Sequence, residues 1–166
     1  MRPSLPDGGP PRGIFVDSSL LVLLAAGATD PAIIRRHRRL RTFRVEDFER
    51  LQKMLGRFER VLVTPNTLTE ASNLLLQHRE PDRSRLVSSL GTLIRESHEV
   101  FAPSSDAVEH PWFSRLGLTD AALLGLVSTE TPLVTVDMDL YLAAVEANPL
   151  SAVNYRHVQQ QSALLT

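Results

Sequence analysis

Apolar residues along this chain follow two rhythms. Short continuous runs, "GIFV" at 13–16, "RVLVTP" at 60–65, "HEVFAP" at 98–103 and "PLVTV" at 132–136, have the character of strands buried on both faces. Between them, apolar residues recur every three or four positions, as on one face of a helix: Val45, Phe48, Leu51, Leu55 and Phe58 are the clearest series. The same rhythm predicts helices in "SSLLVLLAAG", stopping at Gly27 as a left-handed cap, and in "PAIIRRHRRL", "NTLTEASNLLLQH", "RSRLVSSLGTLIRES" and "TDAALLGLVS". Another helix follows "PLVTV", and "AVNYRH" at 152–157 reads as a last edge strand. Strands alternating with helices, with no hairpin turns between them, predict an α/β fold: a mostly parallel sheet covered on both faces.

That arrangement gives meaning to a set of acids. Right-handed crossovers bring every strand-to-helix junction to one edge of the sheet, the carboxyl edge, where open α/β folds bind ligands. Asp17, Glu70, Asp120 and Asp137 all lie at or just beyond predicted strand ends, with Asp139 two positions further on. Each has a local explanation too. Asp17 and Asp137 can cap the helices that follow them, "TLTE" matches a capping box with Thr67 as cap and Glu70 reaching back, and Asp120 follows Thr119, a candidate cap. Capping explains them singly and says nothing of their convergence. Two carboxylates about 4 Å apart repel by roughly 4 kcal/mol at an effective dielectric near 20, so several together call for a cation. All-oxygen ligands favour magnesium or manganese, and the five histidines show no zinc spacing.

Composition narrows the classes. A chain of 166 residues, 43% hydrophobic and 22% charged, is the size and balance of one globular domain; with aromatics at 5%, its core must be aliphatic. Residues 1–12, rich in proline and glycine, read as a flexible tail, and 13–166 as a single domain with a helical insertion around 30–60. The absence of cysteine rules out disulfides, thiolate metal sites and a thiol nucleophile, and fits a reducing compartment. No signal-peptide core or membrane-length apolar run is present, so a cytoplasmic location without membrane contact is expected. The formal net charge of −1 hides a basic stretch, "RRHRRLRTFR" at 35–44. Arg35, Arg36, Arg38 and Arg39 form either a solvated helix face or a track for phosphates.

"FVDSS", "VTPNTLTEASNLL", "LGLTDAALLGL" and "PLVTVDMDL" resemble, in this order, the motifs of the PIN-domain family, and the resemblance covers most of the chain from Gly13 onward. It implies a three-layer α/β/α sandwich with a central mostly parallel sheet, and a metal-dependent nuclease site. The family's acids fall on Asp17, Glu70, Asp120 and Asp137, with Asp139 as an optional further ligand; Mg2+ or Mn2+ would be the cofactor and RNA the substrate. Ser18, Thr135 and Asn73 are candidates to orient those carboxylates or bound water. Arg115 precedes Asp120 and is a candidate phosphate contact, and His110, Trp112 and Phe113 are candidate stacking groups. The resemblance to toxin-like members further implies an antitoxin partner and a homodimer, although the stretch from Asp30 to Arg60 is longer than in those members. The alternatives are a catalytically silent PIN-like module that binds protein or RNA and, more distantly, a haloacid-dehalogenase-like phosphatase. The latter needs a second aspartate two positions after Asp17, where Ser19 stands.

Overall fold

The computed structural model describes residues 12–164; the expected tail at 1–12 lies outside them except for Arg12. Five strands, β1 (Ile14–Val16), β2 (Val61–Val63), β3 (His98–Glu99), β4 (Leu133–Thr135) and β5 (Ala152–Asn154), form one sheet in the order β3-β2-β1-β4-β5. All four neighbouring pairs are parallel, with Phe15 opposite Leu62 on one side and Leu133 on the other. Helices cover both faces, giving the expected three-layer α/β/α sandwich.

Alternation along the short strands sorts the two layers. Ile14, Val16, Val63 and Val134 point into the larger core, with helices α1 (Ser18–Thr29), α2 (Pro31–Arg36), α3 (Val45–Leu55), α4 (Pro65–Leu76) and α5 (Asp82–Glu96). Phe15, Leu62 and Leu133 point the other way, against Leu123 of α8 (Leu118–Leu126) and Leu140 and Ala144 of α9 (Met138–Ala147). Two short helices, α6 (Ser104–Ala107) and α7 (Phe113–Leu116), lead into α8 through a small cluster of Ala107, Ala121 and Ala122.

Several expected boundaries move. Helix α1 does not stop at Gly27: it continues to Thr29, and Asp30 closes it through a backbone bond to Ala26. Gly27 serves packing instead, since a Cβ there would lie 2.3 Å from the Phe48 ring of α3. "PAIIRRHRRL" breaks after Arg36 into a 3-10 turn, Arg38–Leu40, because His37 leaves the helical region. "AVNYRH" is an edge strand only as far as Asn154, which caps α10 (Tyr155–Ala163). Tyr155 is fully buried, and its hydroxyl donates to the Asp47 carbonyl, tying α10 to the start of α3. Among the described residues no helix is long and apolar enough to cross a membrane.

Replacing Gly27 with alanine should therefore cost about 1–3 kcal/mol, the usual penalty for overfilling a packed core. Urea denaturation checks it. Because the clash is with one ring, the loss in a Gly27→Ala/Phe48→Ala double variant should fall short of the sum of the single losses.

Candidate functional site

Parallel strand order brings the ends of β1, β2 and β4 side by side, and the turn after each delivers polar groups to one edge of the sheet. Asp17 follows β1, is buried, and caps α1 by accepting from the Leu20 amide at 2.9 Å. Its other oxygen accepts from the Val136 amide at 2.9 Å and from the Thr135 hydroxyl. Thr135 also accepts from the Asp137 amide at 3.0 Å, so one hydroxyl links the end of β4 to the buried carboxylate. Asp137 itself is exposed and caps α9 through the Leu140 amide at 3.0 Å.

Glu70 and Asp120 reach the site from within helices, and neither is a cap. Helix α4 starts at Pro65, and its capping box pairs Thr64 with Thr67, one turn before the expected "TLTE" box. Thr67 is thus the third helical residue and Glu70 stands exposed further along. Helix α8 is preceded not by a Thr119 cap but by Gly117, whose φ of 86° is a conformation that favours glycine; Thr119 and Asp120 lie in the first turn. Between α4 and the α7–α8 turn lies an open cleft of about 650 Å³, lined by both Glu70 and Asp120. Asn66, Thr69, Glu70 and Asn73 all line it, a polar stripe at helical spacing. Of these, Asn66 and Thr69 are sites that the sequence reading passes over. The signal was available: the polar stripe of "NTLTEASN" lies opposite the buried Leu68, Ala71 and Leu75.

Two of the four acids, Asp120 and Asp17, register their neighbours. The Asp120 carboxyl is pushed up to about 7, first by burial and then by the charges of Asp137, Glu70 and Asp17. Burial also pushes Asp17 up, against the opposing pull of its three hydrogen bonds and with a further push from Asp137. Among the described residues no three carboxylate or imidazole groups stand close enough to cage a metal ion unaided. The acids fall in two pairs, Glu70 and Asp120 on the cleft and Asp17 and Asp137 tied through Thr135. Oxygen donors of this kind suit magnesium, which commonly takes one or two carboxylates and fills its remaining positions with water and substrate oxygens. The mutual repulsion registered at Asp120 is the charge that such an ion would neutralise.

The other candidates separate. Asn73 lines the cleft, whereas Ser18 is half-buried in the first turn of α1 and lies outside the lining of that cleft. Asp139 is exposed and faces Arg115 at 3.4 Å. The basic stretch packs elsewhere. Arg36 pairs with Asp82 at 2.9 Å, and His37 stacks on His78 beyond the far end of α4, on the order of 12 Å along that helix from Glu70. Arg35, Arg38 and Arg39 are exposed there, while buried His37 is held below the usual histidine range by desolvation and by its neighbours His78 and Arg39.

No family model matches the chain, and no curated protein matches it. Among solved structures it is similar to that described as the crystal structure of PAE2754 from Pyrobaculum aerophilum. The TM-score is 0.60 at 18% identity, over 95% of this chain and 99% of that one. At that identity the likeness shows the fold alone.

Asp120 gives the site a pH signature. Its folded-state value of about 7 lies above the ordinary 3.8, so its stabilising contribution is fully present below pH 3.8 and is lost as pH rises through 7. An Asp120→Asn variant keeps a neutral side chain throughout. In metal-free buffer, its gain in melting temperature over the parent should be larger at pH 8 than at pH 5. An equal gain at both values would mean that Asp120 does not sit in the field of the other acids.

Proposed function

We propose that the chain is a PIN-like, metal-dependent endoribonuclease acting through the acidic edge of its sheet. The observation that carries this reading is that four separate segments bring their acids to one edge: the Thr135 hydroxyl joins Asp17 to the Asp137 amide, Glu70 and Asp120 line one cleft, and the charges of the other three push the Asp120 carboxyl up. Capping explains Asp17 and Asp137 but not Glu70 or Asp120, which lie inside helices that other residues start. A fold served only by caps has no use for that convergence. The cleft beside the acids is open and polar, as a strand of nucleic acid requires.

Asp17, Asp120 and Asp137 would hold Mg2+ or Mn2+, directly or through water, with Glu70 completing the set. When bound, such an ion makes its water more acidic and relieves charge on the phosphoryl oxygens. The protein does the rest by positioning. Thr135 and the Val136 amide fix one oxygen of Asp17, so that this carboxylate enters the site already oriented. Glu70, on the solvent side of α4, orients the attacking water from the cleft wall, with Asn73 one turn along beside the incoming phosphate. Asp120 must give up its proton to bind a cation, so metal affinity and turnover should both fall as pH drops below 7.

Magnesium-dependent cleavage of single-stranded RNA by the purified chain tests the reading. Asp17→Asn and Asp120→Asn should each lose more than the 10–100-fold typical of a residue that merely orients a ligand. Both should also abolish the stabilisation that magnesium confers on the parent at pH 8. Full activity in either variant, or a parent chain inert toward RNA, overturns the proposal. Exposed Arg35, Arg38 and Arg39 would add non-specific affinity for a longer substrate; their joint change to glutamine should flatten the salt dependence of binding and leave turnover of a short oligonucleotide intact.

A further inference from the structure

A polyanion approaching this cleft meets an electrostatic obstacle. The residues lining it are neutral or acidic, Glu70 and Asp120 among them, and none is a lysine or arginine. The nearest cation along the chain is Arg115, one residue before the lining residues Leu116 and Gly117. Its guanidinium lies over the Trp112 ring at 5.4 Å from the centroid. One nitrogen reaches Asp139 at 3.4 Å, a long contact between two side chains that are each more than half exposed. An exposed ion pair of that kind holds its partners only weakly. Of the five donors on the group, only one has an acceptor among the described residues.

Its position matters as much as its charge. Arg115 belongs to α7, which is joined through Gly117 to the helix carrying Asp120, while Asp139 lies in the first turn of the helix capped by Asp137. The pair therefore spans the two segments that supply half of the acids. Trp112 is half-buried and lines a separate pocket with His110, Pro111 and Leu124, so the ring beneath the guanidinium is seated in the protein. A planar cation resting on an aromatic face keeps its edge free for a forked contact with two oxygens.

We infer that Arg115, held over Trp112, is a phosphate contact beside the acidic edge: it exchanges Asp139 for a backbone phosphate of single-stranded RNA and seats the strand against the acids. The identity of the polyanion rests on the nuclease reading; the presence of a phosphate contact does not. In this assignment Arg115 binds substrate, and Trp112 positions Arg115. Asp139 holds the guanidinium in place until a phosphate displaces it.

The test is fluorescence anisotropy of a labelled single-stranded oligoribonucleotide with the full chain in EDTA, across a potassium chloride series. Arg115→Gln should weaken binding several-fold and reduce the slope of log affinity against log salt by about 0.7, one phosphate of a single strand. Arg115→Lys should keep most of the slope. Trp112→Ala should weaken binding, and Trp112→Phe should restore it. In magnesium, Arg115→Gln should raise KM with kcat little changed, the pattern of a lost binding contact. A parent-like slope in Arg115→Gln, or parent-like affinity in Trp112→Ala, overturns the assignment. Should binding respond as described while magnesium supports no cleavage by the parent chain, the nuclease reading fails and the phosphate contact stands.

Discussion

Asp17 is a carboxylate buried at the meeting of a strand, a helix and a neighbouring turn, and the acidic edge is organised around it. Removing such a group from water is costly, and the protein offsets the cost with donors from two sides: the Leu20 amide of α1, and the Thr135 hydroxyl and Val136 amide at the end of β4. These bonds fasten the first helix and the fourth strand to the same side chain. They do not win outright, since burial still pushes the Asp17 carboxyl up. A buried acid held this way is poised between a structural role and a chemical one, because any added positive charge would complete what the hydrogen bonds leave unfinished.

The same tension spreads outward to Asp120. Burial raises its carboxyl first, and each of three neighbouring acids raises it further. The fold thus tolerates a local concentration of negative charge that nothing in its packing demands, since the apolar core lies on the two faces of the sheet and not at its edge. The apolar core and the acidic edge occupy different parts of the molecule. The aliphatic layers supply the driving force for folding, and the crossover topology decides which polar residues share an edge.

Much of this was legible in the sequence because parallel topology is written in large features. Continuous apolar runs separated by helical periodicity require parallel strands, and parallel strands require their carboxyl ends to meet, so the relation of Asp17 to Asp137 follows without coordinates. Local boundaries were harder, for two different physical reasons. The "TLTE" box points to a late start for α4, yet Pro65 carries the correct signal: proline favours the first helical position, which makes Thr64 the cap and leaves Glu70 inside the helix. Gly27 was illegible in principle. Nothing near it in sequence announces the Phe48 ring that occupies the space of its missing Cβ, so a tertiary contact overrode a sound local rule. Tyr155 is similar: an aromatic residue after an edge strand reads as more strand until its hydroxyl is seen fastened to α3, with a helix begun by Asn154.

The distribution of arginines shows why charge counted along the sequence misleads about a site. The densest basic stretch sits beyond the far end of α4, where Ile33, Ile34, His37 and Leu40 are buried and the arginines between them face outward because the interior has no place for them. One of those arginines is already paired with Asp82. Its position answers first to packing, and its charge is spread over a surface remote from the acids. Arg115 stands alone in sequence, yet it is carried by the short helix before Gly117 toward the helix that Asp137 caps. Proximity set by topology outranks density along the chain, since opposite charges act strongly only within about a screening length, roughly 8 Å at physiological salt. By that measure the cation that counts at the acidic edge is the single one paired with Asp139 in the first turn of α9, and not the basic stretch beyond the far end of α4.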